Sequence, residues 1–168
     1  MRAEDTDADA WLDQLLAELA RLDAARPAEI RGCAEREVRE ILAECPFGAP
    51  PEAYVAFMRK AGRGAGNLFR GSNFYYPDCL GLWSYAQECQ QQEDENVPLG
   101  DRFFFGHHQG YMLYFFKPED ERVWLYTLEG DGEEAVAPSF QAFVAEHVAI
   151  PERFWARFRE RDEKNRRQ

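Results

Sequence analysis

The sequence predicts an α+β fold: an antiparallel or mixed β-sheet of about four to six strands flanked by helices, with further helices at the N- and C-terminal ends. Two observations lead there. The elements run helices, then strands, then helices, which argues against a doubly wound fold in which the two alternate. Residues 111–116 are apolar at six successive positions, the pattern of a central strand covered on both faces.

The first predicted element is an amphipathic helix over residues 8–25, where Leu12, Leu15, Leu16, Leu19 and Leu22 recur at helical spacing and Asp7 or Asp9 can cap the start. Pro27 closes it. A second helix is expected from about residue 28 to 44, with Ile30, Cys33, Ala34, Val38, Ile41 and Leu42 on one face. Pro46, Gly48 and Pro50 break it. A short third helix carries Tyr54, Val55, Phe57 and Met58 and stops at Ala61-Gly62, after which residues 63–67 read as a flexible turn. Two extended stretches, 68–70 and 73–76, precede a fourth helix that Ser84 can cap and that runs to about residue 95.

The strongest strand patterns come next, at 102–105, 111–116 and 123–128, the last two joined as a hairpin through 117–121. Residues 129–134 read as a polar loop. Ser139 is placed to cap a helix carrying Phe140, Phe143, Val144 and His147, and Pro151 to start a last helix with Phe154, Trp155 and Phe158. The expected organisation is an N-terminal helical appendage over 1–27, an α+β core over 28–150, and a C-terminal helix with a basic tail over 151–168.

With 168 residues, 45% hydrophobic and 14% aromatic, the chain has enough apolar matter for one well-filled core. The net charge is -11, and it is uneven. Residues 151–168 hold seven basic and four acidic side chains, leaving 13 basic and 27 acidic elsewhere. Such a field repels phosphate backbones, so direct nucleic-acid binding is not expected, and a basic protein is the natural electrostatic complement. No apolar stretch is long enough to span a bilayer, and the acidic start Met1-Arg2-Ala3-Glu4-Asp5 is unlike a secretory signal, so a cytoplasmic address is the default expectation. Cys33, Cys45, Cys79 and Cys89 show no C-x-x-C spacing and are expected as free thiols.

Four segments carry a family resemblance. Ala49-Pro50-Pro51-Glu52-Ala53-Tyr54-Val55-Ala56-Phe57-Met58 places a proline and an acidic residue before a Tyr-x-x-Phe helix that ends at Gly62. Asn96-Val97-Pro98-Leu99-Gly100-Asp101 forms a hydrophobic-Pro-hydrophobic-Gly turn, and Gly106-His107-His108-Gln109-Gly110-Tyr111 a glycine-bearing turn into a core strand. Ala137-Pro138-Ser139-Phe140-Gln141-Ala142-Phe143-Val144 is a closing Ser-Phe-x-x-Phe helix. In this order they resemble the SUKH superfamily over roughly residues 28–148. The loop at 63–67 departs from it by lacking the usual Asn-Gly-Gly, and the ends of the chain lie outside it. The resemblance implies a sheet wrapped by helices and a binding role without turnover or cofactor. Bacterial members neutralise toxins, often nucleases; fungal members regulate cell-wall assembly through protein contacts. Few lysines against many arginines favour the bacterial side. The implied partner is a cognate toxin, basic in character, held by a monomer; a regulatory or scaffolding module without a toxin partner is the alternative.

Enzymatic readings find less support in the residues. His107 and His108 are adjacent on a strand end and point to opposite sides, with His147 the one other histidine, so no metal set is assigned. Asp131, Glu133 and Glu134 lack the alternation of a calcium loop. Arg63-Gly64-Ala65-Gly66 has no Lys-Ser/Thr after it, and Ser72, Ser84 and Ser139 lack a nucleophile-elbow context. No catalytic residue is assigned. For partner binding, the acidic candidates are Glu93, Asp94 and Glu95, then Glu119, Asp120 and Glu121 at the hairpin turn, then Asp131, Glu133 and Glu134. Trp83, Tyr75 and Tyr76 are the candidate aromatic anchors.

Overall fold

The structure is a computed structural model, and it describes residues 3–92 and 96–149. The elements run α1 (Ala3–Arg21), β1 (Ile30–Arg31), α2 (Glu35–Ala43), α3 (Glu52–Ala61), β2 (Gly64–Ala65), β3 (Ser72–Asn73), α4 (Leu82–Gln92), β4 (Phe103–His108), β5 (Met112–Phe116), β6 (Val123–Thr127), β7 (Glu133–Ala137) and α5 (residues 140–149). The main sheet has the order β3-β4-β5-β6-β7, antiparallel throughout, and β1 pairs with β2 in a separate two-stranded ladder. This is the α+β architecture the sequence predicts. The helix expected from Pro151, with Phe154, Trp155 and Phe158, lies outside the described residues.

β5 sits at the centre of the sheet, and the alternation along it sorts the core into two halves. Tyr114 and Phe116 face α1, α3 and α5 together with Phe103, Phe105, Leu125 and the helix residues Leu12, Tyr54, Phe57 and Phe140. Leu113 and Phe115 face the other way, with Phe104, Tyr126 and Leu128, against Leu82, Ala86 and Cys89 of α4. Both faces of β5 are therefore buried, which is why its sequence shows no polar alternation. The larger half is dominated by rings: Phe105 stacks on Phe116 at 4.4 Å, and the Tyr54 ring meets Phe103, Phe105, Phe116 and Phe140 at 5.4–5.8 Å. Each such buried ring contributes about 1.5–3 kcal/mol of burial and about 0.5–1.5 kcal/mol of ring–ring contact.

A bulge between Phe104 and Gly106 lets two consecutive residues of β4, Phe105 and Gly106, meet the same half of the core. Gly106 has no side chain there because the Phe74 ring lies over it: an added Cβ would run into that ring. α1 packs along α3, and its Leu12, Leu15 and Leu19 enter the larger core while Leu16 and Leu22 are half-buried. Trp11 makes an edge contact with Phe140 at 6.2 Å.

Five local expectations are corrected. The helix predicted from residue 28 starts only at Glu35; before it come a 3-10 turn (Pro27–Glu29) and β1. Gly32 enforces the break, since the chain passes against α3 so closely that a Cβ would meet the Arg59 carbonyl oxygen, and the Cys33 N–H donates to the Met58 carbonyl. The supposed turn at 63–67 supplies β2, which pairs Ala65 with Ile30 and Gly64 with Arg31. Residues 68–70 are turn rather than strand, and α4 begins at Leu82, so Ser84 is an interior, exposed position and not its cap. The polar loop after Leu128 is shorter than expected, because Glu133 and Glu134 already belong to β7, opposite Tyr126 and Leu125. Ser139 does cap α5, its hydroxyl accepting the Ala142 N–H at 3.1 Å.

Candidate protein-binding surface

The structure divides the acidic candidates into engaged and open groups. Asp120 is engaged: its carboxylate accepts from the Arg122 guanidinium at 2.9 Å and from Trp124 Nε1 at 3.0 Å, and the Arg122 contact first of all holds its pKa down to about 2. Glu133 is engaged too, between Lys117 and Arg102, the latter at 3.4 Å. The Lys117 ammonium lies 3.3 Å from the centroid of the Trp124 ring, with Arg122 over the same ring at 4.7 Å. These residues form an ionic and cation–π layer on the α4-side face of the sheet. By contrast Glu119, Glu121, Asp131 and Glu134 are exposed. Strand alternation and the antiparallel course place Glu119 and Glu121 at one end of the sheet and Asp131 at the other. Glu93, Asp94 and Glu95 lie outside the described residues.

The aromatic candidates divide the same way. Tyr75 is half-buried against the larger core, and its hydroxyl donates to the Leu68 carbonyl at 2.7 Å. The Tyr76 hydroxyl donates to Glu40 at 2.7 Å, and the Arg63 guanidinium covers its ring at 5.1 Å. Both rings serve internal contacts. Trp83 is 38% exposed on α4 and remains open to solvent.

The feature that residue-by-residue reading missed is the tip of the β4–β5 hairpin. Gln109 and Gly110 turn the chain with φ of 51° and 78°, and Tyr111 emerges as an exposed large ring, 41% accessible. On one side of it lies a cleft of about 650 Å³ bounded by Tyr85, Gly110, Leu128 and Glu129. The Tyr85 hydroxyl donates to the Gly110 carbonyl at 2.6 Å, tying α4 to the tip. On the other side lies a cleft of about 690 Å³ bounded by Arg70, Ser72, His108, Met112, Tyr114 and His147. Gln109 and Tyr111 line both, so they form the ridge between them. Gln109-Gly110 between apolar strands marks the turn in the sequence, but Tyr111, expected as the first residue of the buried strand, instead precedes β5 and is exposed.

The two adjacent histidines do face opposite ways. His107 stacks on Tyr85 at 5.2 Å on the α4 side, and burial lowers its pKa. His108 Nδ1 meets the Ser72 hydroxyl at 2.6 Å in the larger cleft. Among the described residues no cluster of three His, Cys, Asp or Glu side chains is arranged to hold a metal ion. All four cysteines are free; burial raises the Cys33 thiol to about 11 and the Cys79 thiol to about 12, so neither is a reactive thiolate. No helix among the described residues is long and apolar enough to cross a membrane.

No curated protein matches the chain. A family model does: it spans residues 34–146, more than half of the sequence, from the start of α2 into α5, and covers the whole five-stranded sheet. The protein is a member of the SMI1 / KNR4 family (SUKH-1).

Proposed function

We propose that this protein is an immunity protein, which binds a cognate toxin in the bacterial cytosol and neutralises it by direct contact, without turnover and without a cofactor. Membership of the SUKH-1 family carries this reading. The surface is compatible with it. Tyr111 and Trp83 are exposed rings suited to anchor a partner, and Glu119, Glu121, Asp131 and Glu134 are exposed carboxylates suited to steer a basic one. The proposed contact face is the hairpin-tip end of the sheet, where Tyr111 stands between two clefts and Asp131 lies at the neighbouring turn.

The test is a growth rescue. Toxin domains encoded beside this gene are expressed in a bacterial host with and without the protein, and complex formation is followed by co-purification. Rescue with a stable stoichiometric complex is the expected result. Absence of both rescue and complex, with both proteins folded, overturns the immunity reading in favour of a regulatory module that binds a cellular protein.

A further inference from the structure

The larger hairpin-tip cleft differs electrostatically from the molecule around it. The chain carries a net charge of -11, yet among the described residues no carboxylate lines this cleft, whereas Glu129 lines its neighbour across the Tyr111 ridge. Its polar wall includes Arg70, Ser72, His108 and His147 beside the neutral amides of Asn67 and Gln109, and its apolar wall Phe69, Met112 and Tyr114. Glu146 is adjacent to His147 but exposed, and does not line the cleft.

The backbone beneath Arg70 is held in an unfavourable conformation. Phe69 is buried and has φ of 57°, a left-handed conformation that a bulky side chain rarely adopts, and Gly71 follows with φ of 80°. The Phe69 ring is clamped between Phe74 at 4.5 Å and Phe143 at 5.8 Å, both contacts stacked, which fixes the turn from below. Its consequence is that Arg70 stands exposed on the cleft wall, and no ion pair joins it to any described residue.

The histidines complete the wall. His147 is fixed by its Nδ1, which donates to the Phe143 carbonyl at 2.8 Å, and by its packing on Phe143 and Phe69 at 4.3 and 5.1 Å. Its Nε2 is left as an acceptor. His108 Nδ1 is taken by Ser72, which leaves its Nε2 as the second available nitrogen; an anion there selects the tautomer in which Ser72 donates to Nδ1 and Nε2 carries the proton. A guanidinium and an imidazole N–H beside an apolar wall suit a carboxylate carried on a ring or short hydrocarbon body.

We propose that this cleft is a binding site for an aromatic or alkyl carboxylate: Arg70 pairs with the carboxylate, His108 donates to it, and Met112, Tyr114 and Tyr111 hold the apolar body. The carboxylate belongs either to a free small acid or to the C-terminal residue of a polypeptide. The site goes beyond the toxin-binding reading and stands or falls independently of it.

The test uses the full chain, isotopically labelled, with no partner present. Benzoate represents the free acid and N-acetylphenylalanine a polypeptide C-terminus. Benzyl alcohol and N-acetylphenylalaninamide are their neutral counterparts. Chemical-shift changes at residues 70, 108, 112 and 147 are followed on titration. The expected result is saturable binding of at least one anion, with a dissociation constant of about a millimolar, at least tenfold weaker binding of its neutral counterpart, and at least tenfold loss in Arg70→Ala. Arg70→Lys retains part of the affinity and shows that the wall is intact. Tighter binding of N-acetylphenylalanine assigns the site to polypeptide ends, and tighter binding of benzoate to small acids. Equal binding of charged and neutral probes, no shifts at 50 mM (about fiftyfold above the expected constant), or an Arg70→Ala variant that binds as wild type each overturns the proposal.

Discussion

Glu37 and Arg63 stand 26 positions apart in the chain and form a two-pronged ion pair, with Arg63 Nε 2.9 Å from one Glu37 oxygen and Nη2 on the other. Glu37 is 5% exposed and the one charged residue of the buried set among the described residues. Its carboxylate also accepts the Ala34 N–H at 2.9 Å, closing the first turn of α2. The Arg63 N–H in turn donates to the Arg31 carbonyl, and the guanidinium covers Tyr76. One carboxylate thus joins the start of α2 to the β1–β2 ladder.

Hydrogen bonding from Arg63 first, and from the Ala34 N–H second, lowers the Glu37 pKa from 4.5 to about 2. A depressed folded-state pKa means that the pair stabilises the fold fully above pH 4.5 and is lost as the pH falls towards 2. Glu37→Gln is expected to lower the melting temperature at pH 7 by about 3–6 °C, and its curve should approach that of wild type near pH 2. Thermal melts from pH 7 to 2 check this; a constant offset at every pH would show that the charge is not the cause. Asp120, whose pKa Arg122 holds at about 2, adds to the acid sensitivity of both proteins.

Gly106→Ala puts a methyl group into the Phe74 ring. The ring is packed against Phe69, Phe105 and Tyr114, so it has little freedom to retreat. A loss of about 1–3 kcal/mol is expected, read from urea unfolding midpoints. Gly48→Ala, where a Cβ meets nothing within 4 Å, is the matched control and should change stability by less than about 0.5 kcal/mol.

Tyr54→Phe is expected to stabilise the protein by about 1 kcal/mol. The ring fills the centre of the larger core, but its hydroxyl is buried and finds no hydrogen-bond partner among the described residues. Removing the oxygen keeps the four ring contacts and removes a desolvated polar group. Chemical denaturation measures the change. A clear loss of stability would mean that the hydroxyl is satisfied in solution.

Charge reversal separates steering from folding among the acidic candidates. Glu119→Lys with Glu121→Lys, and separately Asp131→Lys with Glu134→Lys, alter exposed side chains, so the fold should be retained. If these carboxylates steer a basic toxin, association slows by about tenfold at low salt and becomes less salt-dependent. Stopped-flow association checks each pair, and the same substitution at Glu93, Asp94 and Glu95 extends it. An unchanged on-rate removes that group from the interface. Asp120→Ala and Glu133→Ala should instead lower stability, because each leaves a cation over Trp124 or Phe115 without its counter-charge.

What the sequence determined by itself was whatever depends on local pattern. A run of apolar residues placed β5 at the centre of a sheet covered on both sides, although Tyr111 at its start lies outside the strand, and Leu12, Leu15 and Leu19 marked the buried stripe of α1. Ser139 announced the start of α5 through its own short-range hydrogen bond. The tertiary structure alone decided whatever depends on residues distant in sequence. β1 and β2 are two residues each, too short to show any periodicity, and exist because Gly32 lets the chain close on α3 and bring Ile30 beside Ala65. The acidic candidates look alike along the chain, yet Asp120 and Glu133 are occupied by Arg122, Lys117 and Arg102 while Glu119 and Asp131 face solvent. The cleft at the hairpin tip gathers Arg70 from a turn, His108 from β4 and His147 from α5. Charge and burial are properties of a neighbourhood, and only the folded chain defines one.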